Sequence, residues 1–351
     1  MKEPGSVLVI GCGLIGTSIA LALREHGVDV HLDDVSRSNL ELAVSRGAGS
    51  PEPLPAPDLV VVAVPPSDVV AAVAHALETW PGTVVTDVAS VKSDIARMIG
   101  ALPGAERYVG SHPMAGSERS GPMAASGRLF EGRPWAVTPL DGVGDRSVKL
   151  VESVAELVGA VPITMDAASH DRAVALVSHV PHVLSVLAAA RLADAPQSHL
   201  SLAGAGLRDV TRIAASDSAL WSDILRSNAQ EVRDLLEHVR DDLDRLIASI
   251  GEAGPGLADV LESGRAGTRL IPGKHGERPA ELATVFVQIA DHPGELSRLM
   301  AHTGESDVNI EDLRIDHELG RPVGLVEIAV LTDRADTLVE ALTARGWSAY
   351  R

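Results

Sequence analysis

Over the first 165 residues, short runs of apolar, mostly β-branched side chains recur between stretches with helical spacing. Val7–Ile10, Val28–Leu32, Asp58–Val64, Thr83–Val88 and Tyr108–Gly110 read as strands, with Trp135–Thr138 and Val161–Thr164 completing the set. The segment from Leu59 to Val64 is apolar throughout, as expected of a parallel strand buried on both faces. From Asp166 the pattern changes to helix formers. One apolar helix is predicted from His170 to Leu192, kinked at Pro181. A second begins at Ser216-Asp217-Ser218 and runs to Ile250, with Leu225, Val232, Leu235, Val239, Leu243, Leu246 and Ile250 at three- and four-residue steps. That narrow stripe suits packing either between subunits or against the chain's own helices.

Gly251 to Arg278, rich in Gly, Pro and charge, reads as a connector. Beyond it, strands are predicted at Ala283–Ala290, Val308–Asp316, Pro322–Leu331 and Trp347–Tyr350, with helices at Glu295–Thr303 and Ala335–Arg345. This βαββαβ order is that of a ferredoxin-like module. The expected organisation is therefore a Rossmann-type α/β nucleotide-binding domain (1–164), an all-α domain for substrate and dimerisation (165–250), a linker (251–281) and a ferredoxin-like α+β domain (282–351).

Composition narrows the function. Aromatic residues are 2% of a chain that is 45% hydrophobic, so the core must be built from Ala, Val, Leu and Ile. A formal charge of −18 argues against a nucleic-acid partner or an anionic membrane surface, and it requires specific arginines for any anionic substrate. The single cysteine, Cys12, excludes an intrachain disulfide and a cysteine-based metal site. Met1-Lys2-Glu3-Pro4 leads straight into a strand-like run, and no uncharged apolar run reaches the roughly 18 residues that span a bilayer. A cytoplasmic protein is expected.

Two motifs carry chemistry. Gly11-Cys12-Gly13-Leu14-Ile15-Gly16 follows the first strand and opens a helix, and Asp33-Asp34 ends the second strand. Gly11 makes the turn, Gly13 admits a pyrophosphate, Gly16 lets helix and strand pack, and an acid accepts the ribose hydroxyls. The cofactor expected is NAD rather than NADP, because a carboxylate repels a 2′-phosphate. Alternation with Val30 and Leu32 favours Asp34, with Asp33 its neighbour. Val64-Pro65, at the end of the third strand, completes the candidate cofactor set.

The second motif is Gly110-Ser111-His112-Pro113-Met114-Ala115-Gly116-Ser117-Glu118, a loop presenting His112 at the carboxyl edge of the sheet, where ligands bind in open α/β folds. An imidazole there suits proton abstraction near neutrality. Ser90 leaves its strand at the same edge, within reach of His112. In Ser178-His179-Val180-Pro181-His182, Ser178 and His182 share a helix face and His179 points elsewhere. Without a nearby cysteine or carboxylate, the two histidines do not make a metal site.

With these pieces assembled, the chain resembles bacterial prephenate dehydrogenases of the class carrying a C-terminal ACT domain, over almost its whole length. The specific matches are Asp87-Val88-Ala89-Ser90-Val91-Lys92, Gly110 to Gly116, Ser178 to His182, Arg208-Asp209-Val210-Thr211-Arg212 with Trp221, and Asp291-His292-Pro293-Gly294-Glu295-Leu296 with Asn309. The resemblance implies NAD-dependent oxidative decarboxylation of prephenate to 4-hydroxyphenylpyruvate in tyrosine biosynthesis. It implies that His112 takes the proton of the ring 4-hydroxyl and that Ser90 holds the imidazole. Arg212 would bind a carboxylate, Ser178 and His182 would contact the pyruvyl side chain, and Ser117, Glu118 and Trp221 would line or gate the cleft. The ACT module implies a homodimer and an effector, with tyrosine the obvious ligand, bound through Asp291, Pro293, Gly294, Glu295, Leu296 and Asn309. The turn before Arg212 reads Gly204-Ala205-Gly206, poorer in glycine than in many relatives. Arogenate is the alternative substrate. Other readings are a β-hydroxyacid-type dehydrogenase, which usually carries a lysine where this chain offers Ser178 and His182, and a non-catalytic amino-acid sensor.

Overall fold

The computed structural model describes residues 3–116, 119–251, 255–271, 281–317 and 323–351, in two compact units, Met1–Val239 and Arg240–Arg351. Unit one holds a seven-stranded sheet made of β1 (Ser6–Ile10), β2 (Asp29–Asp33), β3 (Leu59–Val62), β4 (Val84–Asp87), β5 (Tyr108–Pro113), β6 (Pro134–Pro139) and β7 (Val161–Thr164). The spatial order is β2-β1-β3-β4-β5-β6-β7. β1 to β5 are parallel, whereas β6 pairs antiparallel with β5 and parallel with β7.

Helices cover both faces, which is why the central strands read as unbroken apolar runs. α1 (Leu14–Glu25), α2 (Arg37–Ser45) and α5 (Asp145–Leu157) pack Ile19, Leu23, Ala43, Val151 and Val154 on Val7, Val9, Val30 and Val61. On the other face α3 (Val69–Thr79) and α4 (Ser93–Ile99) pack Val73, Leu77, Ile95 and Ile99 on Leu8, Val60, Val62 and Val85. Glycine at 110 is required by packing: a Cβ there would stand 2.6 Å from Thr138 Oγ1 and 3.1 Å from the Tyr108 hydroxyl.

The helical region departs from the expected pair of long helices. The first comprises α6 (Ala167–Val174), a π-helical turn at Ala175–His179, and α7 (Val180–Ala190). The widened turn lies just before Pro181, where the ring cannot donate to the helix ladder. Together they form a 24-residue helical stretch whose length and composition would suffice to cross a membrane, contrary to the expectation that no such run exists. One side of it buries the polar residues His170, Asp171, His179 and His182, while Leu176, Val177, Leu184 and Leu187 are exposed.

After α8 (Gln197–Leu200) and α9 (Ala205–Thr211), the second predicted helix is broken at Asn228 into α10 (Ser218–Ser227) and α11 (Ala229–Ser249). Asn228 leaves helical geometry (φ −120°, ψ 34°) and its buried amide bonds the chain around Asp171 and His179. The apolar stripe divides as well. Leu225, Val232, Leu235 and Val239 pack against Ala175 and Val180 of the same chain, while Leu243 and Ile250 are exposed.

The expected connector at 251–281 contains α12 (Pro255–Thr268), in which Leu257, Val260 and Leu261 recur at helical spacing after an initial proline. Unit two then has β8 (Leu282–Ala290), α13 (Glu295–Gly304), β9 (Asp312–His317), β10 (Val323–Leu331), α14 (Ala335–Ala344) and β11 (Ser348–Tyr350). Its antiparallel sheet has the order β11-β8-β10-β9. Alternate residues Val285, Val287, Ile289, Val326, Ile328 and Val330 face Leu299, Leu338 and Leu342 of the two helices. β9 starts four residues later than expected, because Val308 turns into the core as a loop residue.

Candidate active site

The glycine loop after β1 forms a cradle. Gly11 adopts φ +103°, and a Cβ there would lie 2.4 Å from the Ala63 carbonyl oxygen; one on Gly16 would lie 1.9 Å from the Gly11 carbonyl oxygen. Gly13, by contrast, faces open space, with nothing within 4 Å of an added Cβ. Leu14 and Ile15 begin α1 beside it, so the helix N-terminus is available to a phosphate. Asp34 is the anchored acid: one oxygen accepts from the Cys12 N–H at 2.6 Å and the other from the Ser36 N–H at 2.6 Å. Asp33, at the end of β2, is exposed. Val64-Pro65 follow β3 at the same edge. Cys12 is inert as a nucleophile, since burial, with Asp34 and Asp33, pushes its thiol up to about 12. A narrow turn, an open flank, a free helix end and an oriented carboxylate together suit a dinucleotide.

The neighbouring strand ends are locked by a buried ion pair. Lys92 meets Asp87, both withdrawn from water. Asp87 also accepts from the Tyr108 hydroxyl at 2.6 Å and the Ala89 N–H at 2.9 Å, and its backbone carbonyl accepts from the Ser111 hydroxyl at 2.7 Å. Burial pushes the Lys92 ammonium down against the pull of Asp87, and pushes the Tyr108 phenol up. This network ties β4 to β5 immediately beside Ser90 and His112.

His112 lies within β5, paired with Ala136 of β6 rather than in the expected loop, because β5 continues past Gly110 to Pro113. It is partly exposed, with Nδ1 2.9 Å from Nε2 of His170. His170 Nδ1 lies 2.8 Å from Oδ1 of Asp171. The Asp171 carboxylate also accepts from the N–H groups of Lys92 (2.8 Å) and Ser93 (2.7 Å) at the start of α4. Burial works against this charge, but the hydrogen bonds from His170, Ser93 and Lys92 outweigh it and hold Asp171 below the usual carboxylate range. Burial pushes His112 well below the ordinary histidine range, and His170, Lys92 and His179 add to the effect against Asp171. His112 is therefore a neutral imidazole at physiological pH.

Asn228 Nδ2 donates to the Asp171 carbonyl at 2.8 Å and lies 3.2 Å from His179 Nδ1. Burial, modified by Asp171, His170 and His182, lowers His179 to about 4. Its ring stands edge-on to Trp221, with centroids 6.1 Å apart. His182 stacks flat on the same indole at 3.4 Å, and its Nδ1 is buried with no partner among the described residues. His179 thus does not point away from the His182 face: positions three apart are already helical neighbours, and both rings reach Trp221.

The structure brings His112, His182 and Trp221 into one unit and adds His170, Asp171, His179 and Asn228, to which the sequence reading gave no role. The adjacent His170-Asp171 pair at a helix start was the available signal. Among the described residues no hydrogen bond joins Ser90 to His112; His170, not Ser90, occupies Nδ1. Ser178 sits partly exposed on the π turn. Arg212 is exposed and opens a 3-10 turn, Arg212–Ala215, packed against α7. Ser117 and Glu118 lie outside the described residues. In unit two, Asp291, Pro293, Gly294 (φ +94°), Glu295 and Leu296 form the β8–α13 junction, and Asn309 precedes β9 with its amide on Glu311.

Comparison with known proteins adds the family. Residues 19–164 match the model for the prephenate dehydrogenase nucleotide-binding domain, and residues 166–262 match that for the prephenate dehydrogenase dimerization domain. The Streptomyces niveus protein NovF, named a probable prephenate dehydrogenase, is 36% identical over 98% of this chain and 99% of its own. Prephenate dehydrogenase from Aquifex aeolicus, solved with hydroxyphenyl propionate and NAD+, is 29% identical over 76% of this chain and 98% of its own, with a TM-score of 0.68. Synechocystis arogenate dehydrogenase is 27% identical over 75% and 98%, with a TM-score of 0.66.

Proposed function

The chain belongs to the prephenate dehydrogenase family, and we propose that His112 is the proton acceptor of its reaction. That reaction is the NAD-dependent oxidative decarboxylation of prephenate to 4-hydroxyphenylpyruvate. The observation that carries the assignment is the pair of hydrogen bonds linking Asp171, His170 and His112, which holds a neutral, partly exposed imidazole at the same carboxyl edge of the sheet as the glycine cradle.

Gly11, Gly13 and Gly16, with Leu14, Ile15 and Val64-Pro65, would hold the dinucleotide, and Asp34 its ribose hydroxyls. NAD, when bound, supplies the acceptor for the hydride that leaves the ring carbon bearing the hydroxyl. His112 takes the hydroxyl proton as that carbon becomes a carbonyl. Loss of carbon dioxide then aromatises the ring, and the phenolate oxygen takes the proton back from His112 to give 4-hydroxyphenylpyruvate. Arg212 holds a substrate carboxylate by a charge-assisted contact, which a chain of net charge −18 needs. Ser178 and His182 meet the side chain, with Trp221 backing His182 and Ser90, Ser117 and Glu118 completing the cleft.

Unit two serves as an ACT-type regulatory module, on the support of its βαββαβ topology and of the turn Asp291 to Leu296 with Asn309. Tyrosine is the effector, as the end product of the route. Leu176, Val177, Leu184 and Leu187 form an exposed apolar helical face that suits a homodimer in the cytoplasm. The domain limits proposed are those set out from the sequence, with α12 added to the 251–281 segment.

The second reading, arogenate as substrate, is favoured by the likeness to the Synechocystis enzyme. Absorbance at 340 nm decides between them: prephenate with NAD should outpace arogenate in kcat/KM, and tyrosine should slow the reaction. Equal inertness of both substrates would reject the assignment.

A further inference from the structure

The two-histidine contact has a direction that follows from donor counting. Asp171 is ionised, held so by two backbone N–H groups at the start of α4 and by His170. A carboxylate only accepts, so His170 Nδ1 must donate to it. A His170 ring carrying only that hydrogen presents a bare lone pair at Nε2, and the atom 2.9 Å away, His112 Nδ1, then carries the hydrogen between them. His112 is left with its lone pair on Nε2.

We propose that His170 and Asp171 are positioning residues that fix His112 in its Nδ1–H form, so that Nε2 is the atom that takes the substrate proton. This rests on His112 being the base. In the step, the substrate O–H bond breaks and an N–H bond forms at His112 Nε2. The Nδ1 proton stays between the two rings, free to pass to His170 Nε2, and the positive charge is spread over both imidazoles beside ionised Asp171. Asp171 gains no proton. The geometry opposes the alternative form: with hydrogen on His112 Nε2 and His170 carrying only its Nδ1–H, two lone pairs would face each other 2.9 Å apart.

The surroundings make this support necessary. His112 faces Lys92 from the start of α4, His170 and Asp171 from α6, and His179 from the π turn; only Asp171 is negative, and the others disfavour an imidazolium. Asp171 reaches His112 only through His170. Rigidity comes from the far side, where Asn228 bonds the Asp171 carbonyl and Asp171 caps α4. His170 and Asp171 are both buried, so water cannot replace either.

The test compares His170→Gln and His170→Phe in the full chain. Gln retains an acceptor for the His112 Nδ1–H but cannot share the charge; Phe removes both functions. Expected for His170→Phe is a 10²- to 10³-fold loss of kcat, with KM changed less than about threefold. His170→Gln should recover at least about tenfold of that loss. Histidine 15N spectra of the NAD-bound protein should show His112 protonated on Nδ1 in the wild type and His170→Gln, and mixed in His170→Phe. Should His170→Phe fail to fold, the wild-type spectrum and His170→Gln decide. A wild-type His112 protonated on Nε2, or equal kcat and pH profiles in wild type and His170→Phe, overturns the relay. His112→Asn separates the two claims: if it is inactive while His170→Phe is unimpaired, only the relay fails; if it is active, the base assignment fails as well.

Discussion

The Lys92 ammonium and the Asp87 carboxylate form an ion pair from which water is excluded, with the two side chains 1% and 0% exposed. Asp87 also anchors Tyr108 and the backbone of Ala89 and receives Ser111, so one carboxylate fixes two strand ends. Removing one partner of such a pair strands the other charge in a low-dielectric interior. Lys92→Met should therefore destabilise the protein by about 3–5 kcal/mol in urea unfolding. Adding Asp87→Asn to that variant should recover about 1 kcal/mol or more, since the amide oxygen still accepts from Tyr108. An unchanged unfolding midpoint for Lys92→Met would contradict the arrangement.

His112→Asn should lower kcat roughly 10²–10⁴-fold, the usual contribution of a positioned base. Because burial, with His170, Lys92 and His179 nearby, presses His112 well below 6.5, kcat/KM should be flat around pH 7 and fall only as pH drops through that depressed value. An acid limb centred at or above 6.5 would contradict this.

Stability should follow the same groups. The unfolded chain protonates its histidines below 6.5, whereas folded His179 stays neutral down to about 4. The unfolded state therefore binds more protons in that window, and stability falls as pH is lowered from 6.5 to about 4. Denaturant titrations across this range, with His179→Gln flattening part of the slope, provide the check.

Arg212→Ala should act on binding more than on turnover. Loss of a charge-assisted contact to a carboxylate, about 1.5–3 kcal/mol, corresponds to a KM higher by roughly 10- to 150-fold. A variant that loses kcat while keeping KM would place Arg212 elsewhere in the mechanism.

Asp34→Ser should reduce kcat/KM for NAD more than for NADP, because it removes both the ribose acceptor and the repulsion of a 2′-phosphate. It also releases the N–H groups of Cys12 and Ser36. A wild-type preference for NADP would refute the assignment.

Periodicity and glycine spacing alone made the central parallel strands and the fingerprint legible, because burial on both faces of a parallel sheet and a tight phosphate turn leave marks in consecutive residues. Asp34 was legible for the same reason, through alternation with Val30 and Leu32. The motifs around His112, His182 and Arg212 were legible as unusual local chemistry, though their roles came from resemblance. Only the tertiary structure supplied the partner of His112. His170 is 58 residues away, and the adjacent His170-Asp171 pair at a helix start marks unusual chemistry without saying which residue across the domain it meets. The break at Asn228 was hidden in the same way: its cause is a bond to Asp171, 57 residues distant, that outweighs local helix propensity. Local rules act over a few residues, whereas a buried donor or acceptor must find its complement wherever the fold brings one.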